Sequence, residues 1–486
     1  MNGIHKNIRK SLILLLGGFI ILSLYYCYTL FSYGDRWFAN SYNPRVRMNG
    51  WEPKVIPGDI MDRNGRILAT TLKEIRKNPE TGEKQEYYYR SYLGGKEKAK
   101  AISHVVGFNH PEFGRSGSEA LHVRYLMGHN NPFYEVIYQK VFLSKEMGNT
   151  LFLTIDNELQ QYIDSVLGNK KGSAVVMDAK TGEMLAMVSH PTFNPNNLEA
   201  DIDGDVLVNR STEGLYAPGS IFKVILASSV LDNTDLFLDN TFNCEGETMI
   251  GSEKIGCFNG QEHGEVDLKQ AMIVSCNGSF AHMGVELGRE RLLKTGKAFG
   301  FNEDFIFPDL KLAASRMPLK AGIPKEKLGF TSIGQGDIQV TPMHMAMVAS
   351  SIANDGVMME PKLILKVLSR NSNEQKTLKP KRYKRTIEPE NVVKLKDMLE
   401  AVVTEGTGKA ATIKGKIVAG KTGTAEVMTE DSEIRNNAWF IGYVESKTSN
   451  IAISIVLEDL PPGETGGKTA APMAGQILKK AIDLGY

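Results

Sequence analysis

Residues 216–225, YAPGSIFKVI, set Ser220 and Lys223 three positions apart, directly before the apolar run Val224, Ile225, Leu226 and Ala227. Pro218 and Gly219 make a sharp entry to a helix, and residues three apart on a helix share a face. A lysine among apolar side chains loses the hydration of its ammonium, which favours the neutral amine. A neutral amine beside a hydroxyl is a general base beside a nucleophile. The competing reading is a lysine whose stem packs on the helix while its amine reaches water. This is the only Ser-x-x-Lys in the chain.

Two further segments carry groups that suit such a pair. VSCNGSF supplies Ser275 and Asn277, a hydroxyl and an amide near the start of a helical pattern, where both can be held towards a cleft. IVAGKTGTAEV supplies Lys421, Thr422, Gly423 and Thr424 on a strand pattern, where Gly423 would let a substrate approach the backbone. Lys-Thr-Gly occurs three times. Residues 180–182 fall in a hairpin turn, and residues 294–296 end a helical pattern with Gly296 as its C-cap. Only residues 421–423 follow both other segments and lie on a strand.

The elements that must position these groups are legible in outline. Residues 172–189 read as two strands joined at Asp178 to Glu183. A helix follows Pro218, and one helical region covers about 266–299. Strands are expected at 417–427, 437–444 and 450–458, with a helix from about Pro472 to the end. This order suggests one antiparallel sheet with helices on its faces, an α+β arrangement. Upstream, Asn64-Gly65 marks a hairpin, and the charged stretch 73–86 reads as a solvated loop.

A chain of 486 residues, 42% hydrophobic, can bury a sizeable core and is expected to form more than one domain. Its net charge of +1 offers no excess of basic residues for binding nucleic acid. Residues 11–34 contain no charged residue and are long enough to cross a bilayer. Lys6, Arg9 and Lys10 precede this span, whereas Asp35 and Arg36 cancel after it, so the positive-inside rule puts a short N-terminus in the cytoplasm. The span exceeds a signal-peptide h-region and lacks a small-x-small cleavage site, which favours an uncleaved anchor.

Of four cysteines, Cys27 lies in the anchor, and Cys244, Cys257 and Cys276 would face the exterior. Cys244 and Cys257 can bridge in an oxidising compartment or remain two thiols on neighbouring strands, and spacing does not choose between these. No Cys/His group has zinc-site spacing and no glycine-rich phosphate loop appears, so no metal or nucleotide cofactor is expected.

In their order, the three segments resemble the Ser-x-x-Lys, Ser-x-Asn and Lys-Thr-Gly triplet of penicillin-recognising serine acyl-transfer enzymes. Over nearly its whole length the chain is similar to class B, monofunctional penicillin-binding proteins, most of all to the penicillin-binding protein A type. DRNGRILA, HVVGF and GRSGSE carry the resemblance in the first region. LTIDNELQ, VVMDAKTGEMLAMVSHPTFNPN, NRSTEGLYAPGSIFK, IGQGDIQVTPMHMA and NAWFIGYV carry it in the second. Pro57, where the family often has arginine, and Ile221, where it often has threonine, are departures.

The resemblance implies a cytoplasmic tail (1–10), a transmembrane anchor (11–34), an extended N-terminal pedestal (35–147) and a transpeptidase domain (148–486) with a five-stranded antiparallel sheet flanked by helices. It implies a peptidoglycan D,D-transpeptidase that acts on stem peptides of lipid-linked or nascent glycan, needs no cofactor and is acylated by β-lactams. Ser220 would be the nucleophile, Lys223 the proton acceptor, and Ser275 with Lys421 the relay to the departing D-alanine. Asn277 would hold the peptide amide, the N–H groups of Ser220 and Thr424 the oxyanion, and Thr422, Thr424 and the charge of Lys421 the terminal carboxylate. A SEDS-type glycan polymerase is the implied membrane partner, and the catalytic domain would be extracytoplasmic. The alternatives are a D,D-carboxypeptidase, a β-lactamase, disfavoured because no Glu-x-x-Asn follows the second motif, and a non-enzymatic scaffold of the wall machinery.

Overall fold

The computed structural model describes residues 2–38, 51, 53, 55–93, 96–129, 131, 133–142, 145–199, 201–233, 241–369, 374–428 and 432–486. A helix, Asn2–Phe38, opens the chain and contains the apolar span Asn7–Thr29, of mean hydropathy 2.0 and with no part buried against the rest of the protein. By length and composition it fits a single membrane-crossing segment.

The sheet expected from the two early and three late strands is present. Its order is Met184–His190, Gly172–Asp178, Ile451–Leu460, Ile434–Val444 and Val418–Met428, antiparallel throughout. Residues 172–177 and all of 184–190 are buried, because helices cover both faces. One face carries Asn157–Leu167 and Ala471–Asp483, whose apolar stripes (Leu159, Ile163, Leu167; Ala474, Ile477, Leu478, Ala481) recur at three- and four-residue spacing. Asp156 caps the first of these, accepting from the Glu158 and Leu159 N–H groups. Against the other face lies Pro342–Ala353, buried along its whole length, started by Pro342 and capped by Thr341.

A second sheet has six strands in the order Glu374–Thr377, Ile364–Leu368, Thr150–Leu153, Ile60–Met61, Ile67–Lys77 and Lys84–Tyr92. Thr150–Leu153 runs parallel to Ile60–Met61 and antiparallel to Ile364–Leu368. Strands from the first region and from far downstream therefore share one ladder. Ile60, Leu68 and Val106 belong to the same apolar core as Phe222 and Ile225.

Two sequence expectations are corrected. The stretch 73–86 is no loop: Ile67–Lys77 pairs with Lys84–Tyr92 along their length, closed at Asn78–Glu83. Its outer half projects into solvent, so both faces tolerate charge, and Lys73 meets Glu86 at 2.8 Å. The helical region 266–299 is broken twice: Leu268–Val274 ends at Ser275 and Cys276, and Asn277–Phe299 is itself kinked at Gly288 (φ 75°), with Gly300 rather than Gly296 as its C-cap. Gly296 lies inside the second helix, where a Cβ would come within 2.3 Å of the Met317 side chain.

Candidate active site

Ser220 sits on a single 3-10 turn, Gly219–Phe222, that leads into the helix Lys223–Leu231, all nine residues of which are buried. Neighbouring segments hold the turn. Gly219 adopts a φ of 55° and donates its N–H to the Gly334 carbonyl at 2.9 Å, and Trp439 Nε1 donates to the Ala217 carbonyl at 3.1 Å. A Cβ on Gly219 would lie 2.5 Å from the Thr424 carbonyl oxygen, so the 219–222 turn rests directly on the Val418–Met428 strand. Gly423 serves this same contact: a Cβ there would meet the Pro218 carbonyl oxygen at 2.8 Å and the Ile221 side chain at 3.0 Å. The space at Gly423 admits the 219–222 turn, where the sequence suggested a substrate.

The break between the two helices sets the second segment. Ser275 takes a left-handed conformation (φ 59°, ψ 41°) at the C-cap of Leu268–Val274, and Cys276 caps Asn277–Phe299. This bend turns both ends of Ser275 and the Asn277 amide towards Lys223. Lys223 Nζ is 2.7 Å from the Ser275 carbonyl, 2.7 Å from Asn277 Oδ1 and 3.2 Å from Ser275 Oγ. Asn277 Nδ2 donates to the Gly256 carbonyl at 2.8 Å, so both ends of this amide are engaged within the protein.

The third segment approaches from the sheet. Lys421 Nζ is 2.9 Å from Ser275 Oγ and donates to the Thr422 carbonyl at 3.0 Å. One hydroxyl thus lies between two amines, and both lysines are wholly buried. Burial pushes Lys223 down to about 7, opposed by the nearby Cys276 and Cys257. Burial, and after it the charge of Lys223, holds Lys421 well below the ordinary lysine value. Two neighbouring ammonium groups with no carboxylate partner among the described residues are unfavourable in such a site. A neutral Lys223 has two N–H bonds, which the Ser275 and Asn277 oxygens can take, leaving its lone pair for an incoming proton.

All eight residues singled out in the sequence gather at one cleft of about 1150 Å³. Ser220, Ser275, Asn277, Thr422, Gly423 and Thr424 line it, whereas Lys223 and Lys421 stand behind the lining. Lys421 is therefore placed to serve the Ser275 hydroxyl more directly than an incoming carboxylate. Thr422 Oγ1 meets Thr407 Oγ1 at 2.7 Å, and Thr424 Oγ1 accepts from the Gly466 N–H at 3.2 Å. Thr407 and Gly466 carried no signal in the sequence, since each matters only through a partner distant along the chain. The other two Lys-Thr-Gly copies lie elsewhere, residues 180–182 in a turn closed by Asp178 and residues 294–296 within a helix.

The cysteine reading also changes. Cys244 and Cys257 are free thiols with sulfurs 3.6 Å apart, beyond a disulfide bond. Although no Cys/His group has zinc-site spacing along the chain, Cys244, Cys257, His263 and Cys276 bring their ligand atoms within 4.8 Å of one another. The intervening stretches of the chain match no zinc-finger spacing, and only the fold unites them.

Residues 172–479 match the family described as the penicillin binding protein transpeptidase domain. The chain is 28% identical over 463 residues to the peptidoglycan D,D-transpeptidase PbpA of Mycolicibacterium smegmatis, covering 86% of this chain and 91% of that protein. Among solved structures, the D,D-transpeptidase domain of a peptidoglycan glycosyltransferase from Eggerthella lenta superposes with a TM-score of 0.74 at 32% identity, covering 89% of this chain and 99% of that one. The penicillin G acyl-enzyme of penicillin-binding protein A from Mycobacterium tuberculosis shares the fold, with a TM-score of 0.76 at 24% identity over 88% and 99% of the two chains.

Proposed function

Because the chain belongs to the penicillin-binding protein transpeptidase family, we propose that its cleft runs a two-step acyl transfer from Ser220. The protein is a serine-type peptidoglycan D,D-transpeptidase. The observation that carries the assignment of roles is the Ser275 hydroxyl, set between the two buried amines of Lys223 and Lys421 at 3.2 and 2.9 Å.

In the first step, Ser220 Oγ attacks the penultimate D-alanine carbonyl of a stem peptide and its proton passes to the neutral Lys223 amine. Ser275 links that amine to Lys421 and delivers a proton to the nitrogen of the departing D-alanine. The N–H groups of Ser220 and Thr424 stabilise the oxyanion, a role supported by the close seat of the 219–222 turn on the strand. Thr422 and Thr424 receive the terminal carboxylate. In the second step the amine of another stem peptide attacks the acyl carbonyl and passes a proton to Lys223; the Ser220 ester bond breaks, Ser220 Oγ takes that proton, and the cross-link is closed. A β-lactam follows the first step and stops there.

The hydrogen-bonded position of Asn277 on the cleft wall supports a part in holding Lys223 as well as the peptide amide. The basic Lys6, Arg9 and Lys10 before the uncharged run 11–34 support a cytoplasmic N-terminus with the catalytic unit outside. Residues 35–147 act as a pedestal, joined by the six-stranded sheet to a transpeptidase unit of residues 148–486. A SEDS-type polymerase is the partner expected to make the glycan, and co-purification from membranes tests it.

Labelled penicillin should form one covalent adduct, mapped by mass to the peptide carrying Ser220, and Ser220→Ala should abolish it. An adduct that persists on Ser220→Ala overturns the nucleophile. Two stem peptides supplied together should be joined; release of D-alanine without joining favours a carboxypeptidase.

A further inference from the structure

We propose that Cys244, Cys257, His263 and Cys276 form a structural zinc site that fixes the active-site bend at Ser275 and Asn277. Three of the six inter-ligand distances lie close to those the ion sets, and none exceeds 4.8 Å. Tetrahedral zinc, with Zn–S about 2.3 Å and Zn–N about 2.0–2.1 Å, sets two sulfurs about 3.8 Å apart and a sulfur and a nitrogen about 3.6 Å apart. The observed separations are 3.6 Å for Cys244–Cys257, 3.8 Å for Cys257–Cys276 and 3.3 Å from Cys244 Sγ to His263 Nδ1. Three thiolates and an imidazole make a closed donor set with no open position, the pattern of a structural rather than a catalytic metal.

The surroundings are those of ligated thiolates. The Ser279 N–H donates to Cys276 Sγ at 3.4 Å, and the N–H groups of Asn277 and Gly278 donate to Cys257. Such N–H to sulfur bonds orient ligands around metals. Cys244, Cys257 and Cys276 are almost wholly buried. A disulfide would join two of them and strand the third thiol beside an imidazole, whereas one ion engages all four groups.

The local chain needs such a tie. Residues 242–266 are built from four strands of three or four residues each, paired two by two. They bury few large apolar side chains, chiefly Ile250, Ile255 and Val266, and a piece of this size is ordinarily held by a metal or by disulfides. Its carbonyl at Gly256 holds the Asn277 amide, Cys257 is the next residue, and Cys276 lies between Ser275 and Asn277. The ion therefore joins this wall of the cleft to the residues around which Lys223 is organised. The metal site stands on its own geometry; its consequence for acylation rests on the transpeptidase reading.

The test uses full-length protein purified in detergent without chelator. One zinc per chain by elemental mass spectrometry is expected, with Cys244, Cys257 and Cys276 shielded from alkylation until dipicolinate removes the metal. Chelation should lower the melting temperature and abolish acylation by labelled penicillin, and zinc, but not magnesium, should restore both. Cys244→Ser and His263→Ala should each lose most of the zinc; if either fails to fold, the chelation cycle on the wild type gives the same readout. Protein that takes up no zinc when supplied with it and melts at the same temperature with and without it overturns the proposal. So does an intact mass lower by two hydrogens, with the Cys244 and Cys257 peptides joined. Stoichiometric zinc without acylation would uphold the metal site and defeat the transpeptidase reading.

Discussion

Two buried cationic sites in this protein are built on opposite principles. In the first region, Arg90 Nε meets Glu119 Oε1 at 2.7 Å, with both side chains almost inaccessible to solvent, and Arg90 also reaches Thr71 Oγ1 at 3.1 Å. In the cleft, Lys223 and Lys421 are equally buried but are given only carbonyl, amide and hydroxyl oxygens. A charge meant to remain a charge is supplied with its opposite. The amine proposed to accept a proton has no carboxylate beside it among the described residues, and burial then does the rest. Family resemblance points to both Glu119, in GRSGSE, and Lys223, in the nucleophile motif, yet only the partner chemistry separates a structural cation from a reactive amine.

The contrast can be broken hardest at the amine. Lys223→Met keeps the side-chain volume and removes the base, so acylation by labelled penicillin should fall by about 10²–10⁴-fold, while the melting temperature holds or rises. A drop in melting temperature with acylation preserved would reverse the roles of the two sites. Glu119→Ala should do the opposite. It leaves a buried guanidinium unpaired at a cost of about 3–5 kcal/mol, read by denaturant titration, while the folded fraction still acylates normally.

The pH dependence sharpens the same distinction. With Lys223 near 7, the reactive neutral amine is depleted as pH falls below that value, so the acylation rate should drop about tenfold per unit on the acid side. The ionisable groups acting on this amine are Lys421 from the sheet and the Cys257 and Cys276 thiols from the opposite wall. Asn277→Asp would place a carboxylate 2.7 Å from Nζ and should carry the acid limb upward by about 1–3 units. An unmoved limb in stopped-flow acylation would remove Lys223 as the titrating group. The smallest effect belongs to the exposed pair Lys73 and Glu86, where Lys73→Ala should leave melting temperature and acylation unchanged, since exposed ion pairs contribute little.

The frame of the catalytic unit was readable from sequence because its strands are long apolar runs and its helices carry regular stripes. The three motifs were readable as residues but not as geometry. Nothing local announces that Ser275 is left-handed or that the helix breaks there, and the Asn277 amide finds Gly256 only in the folded chain. The run 73–86 was misread because a two-stranded ribbon with both faces in water has the composition of a loop. The four sulfur and nitrogen ligands escaped for a related reason: their separations in sequence follow the path of small hairpins rather than a finger motif.

The six-stranded sheet has a consequence for how this molecule could be recombined. Thr150–Leu153 is flanked on one side by the strand at 60–61 and on the other by the strand at 364–368. Exchanging the residues before 148 for those of another protein would cut across a continuous backbone ladder. A viable chimaera must keep the strand at 150–153 matched both to residues 60–61 and to residues 364–368, so these three distant stretches of the chain are bound to vary together.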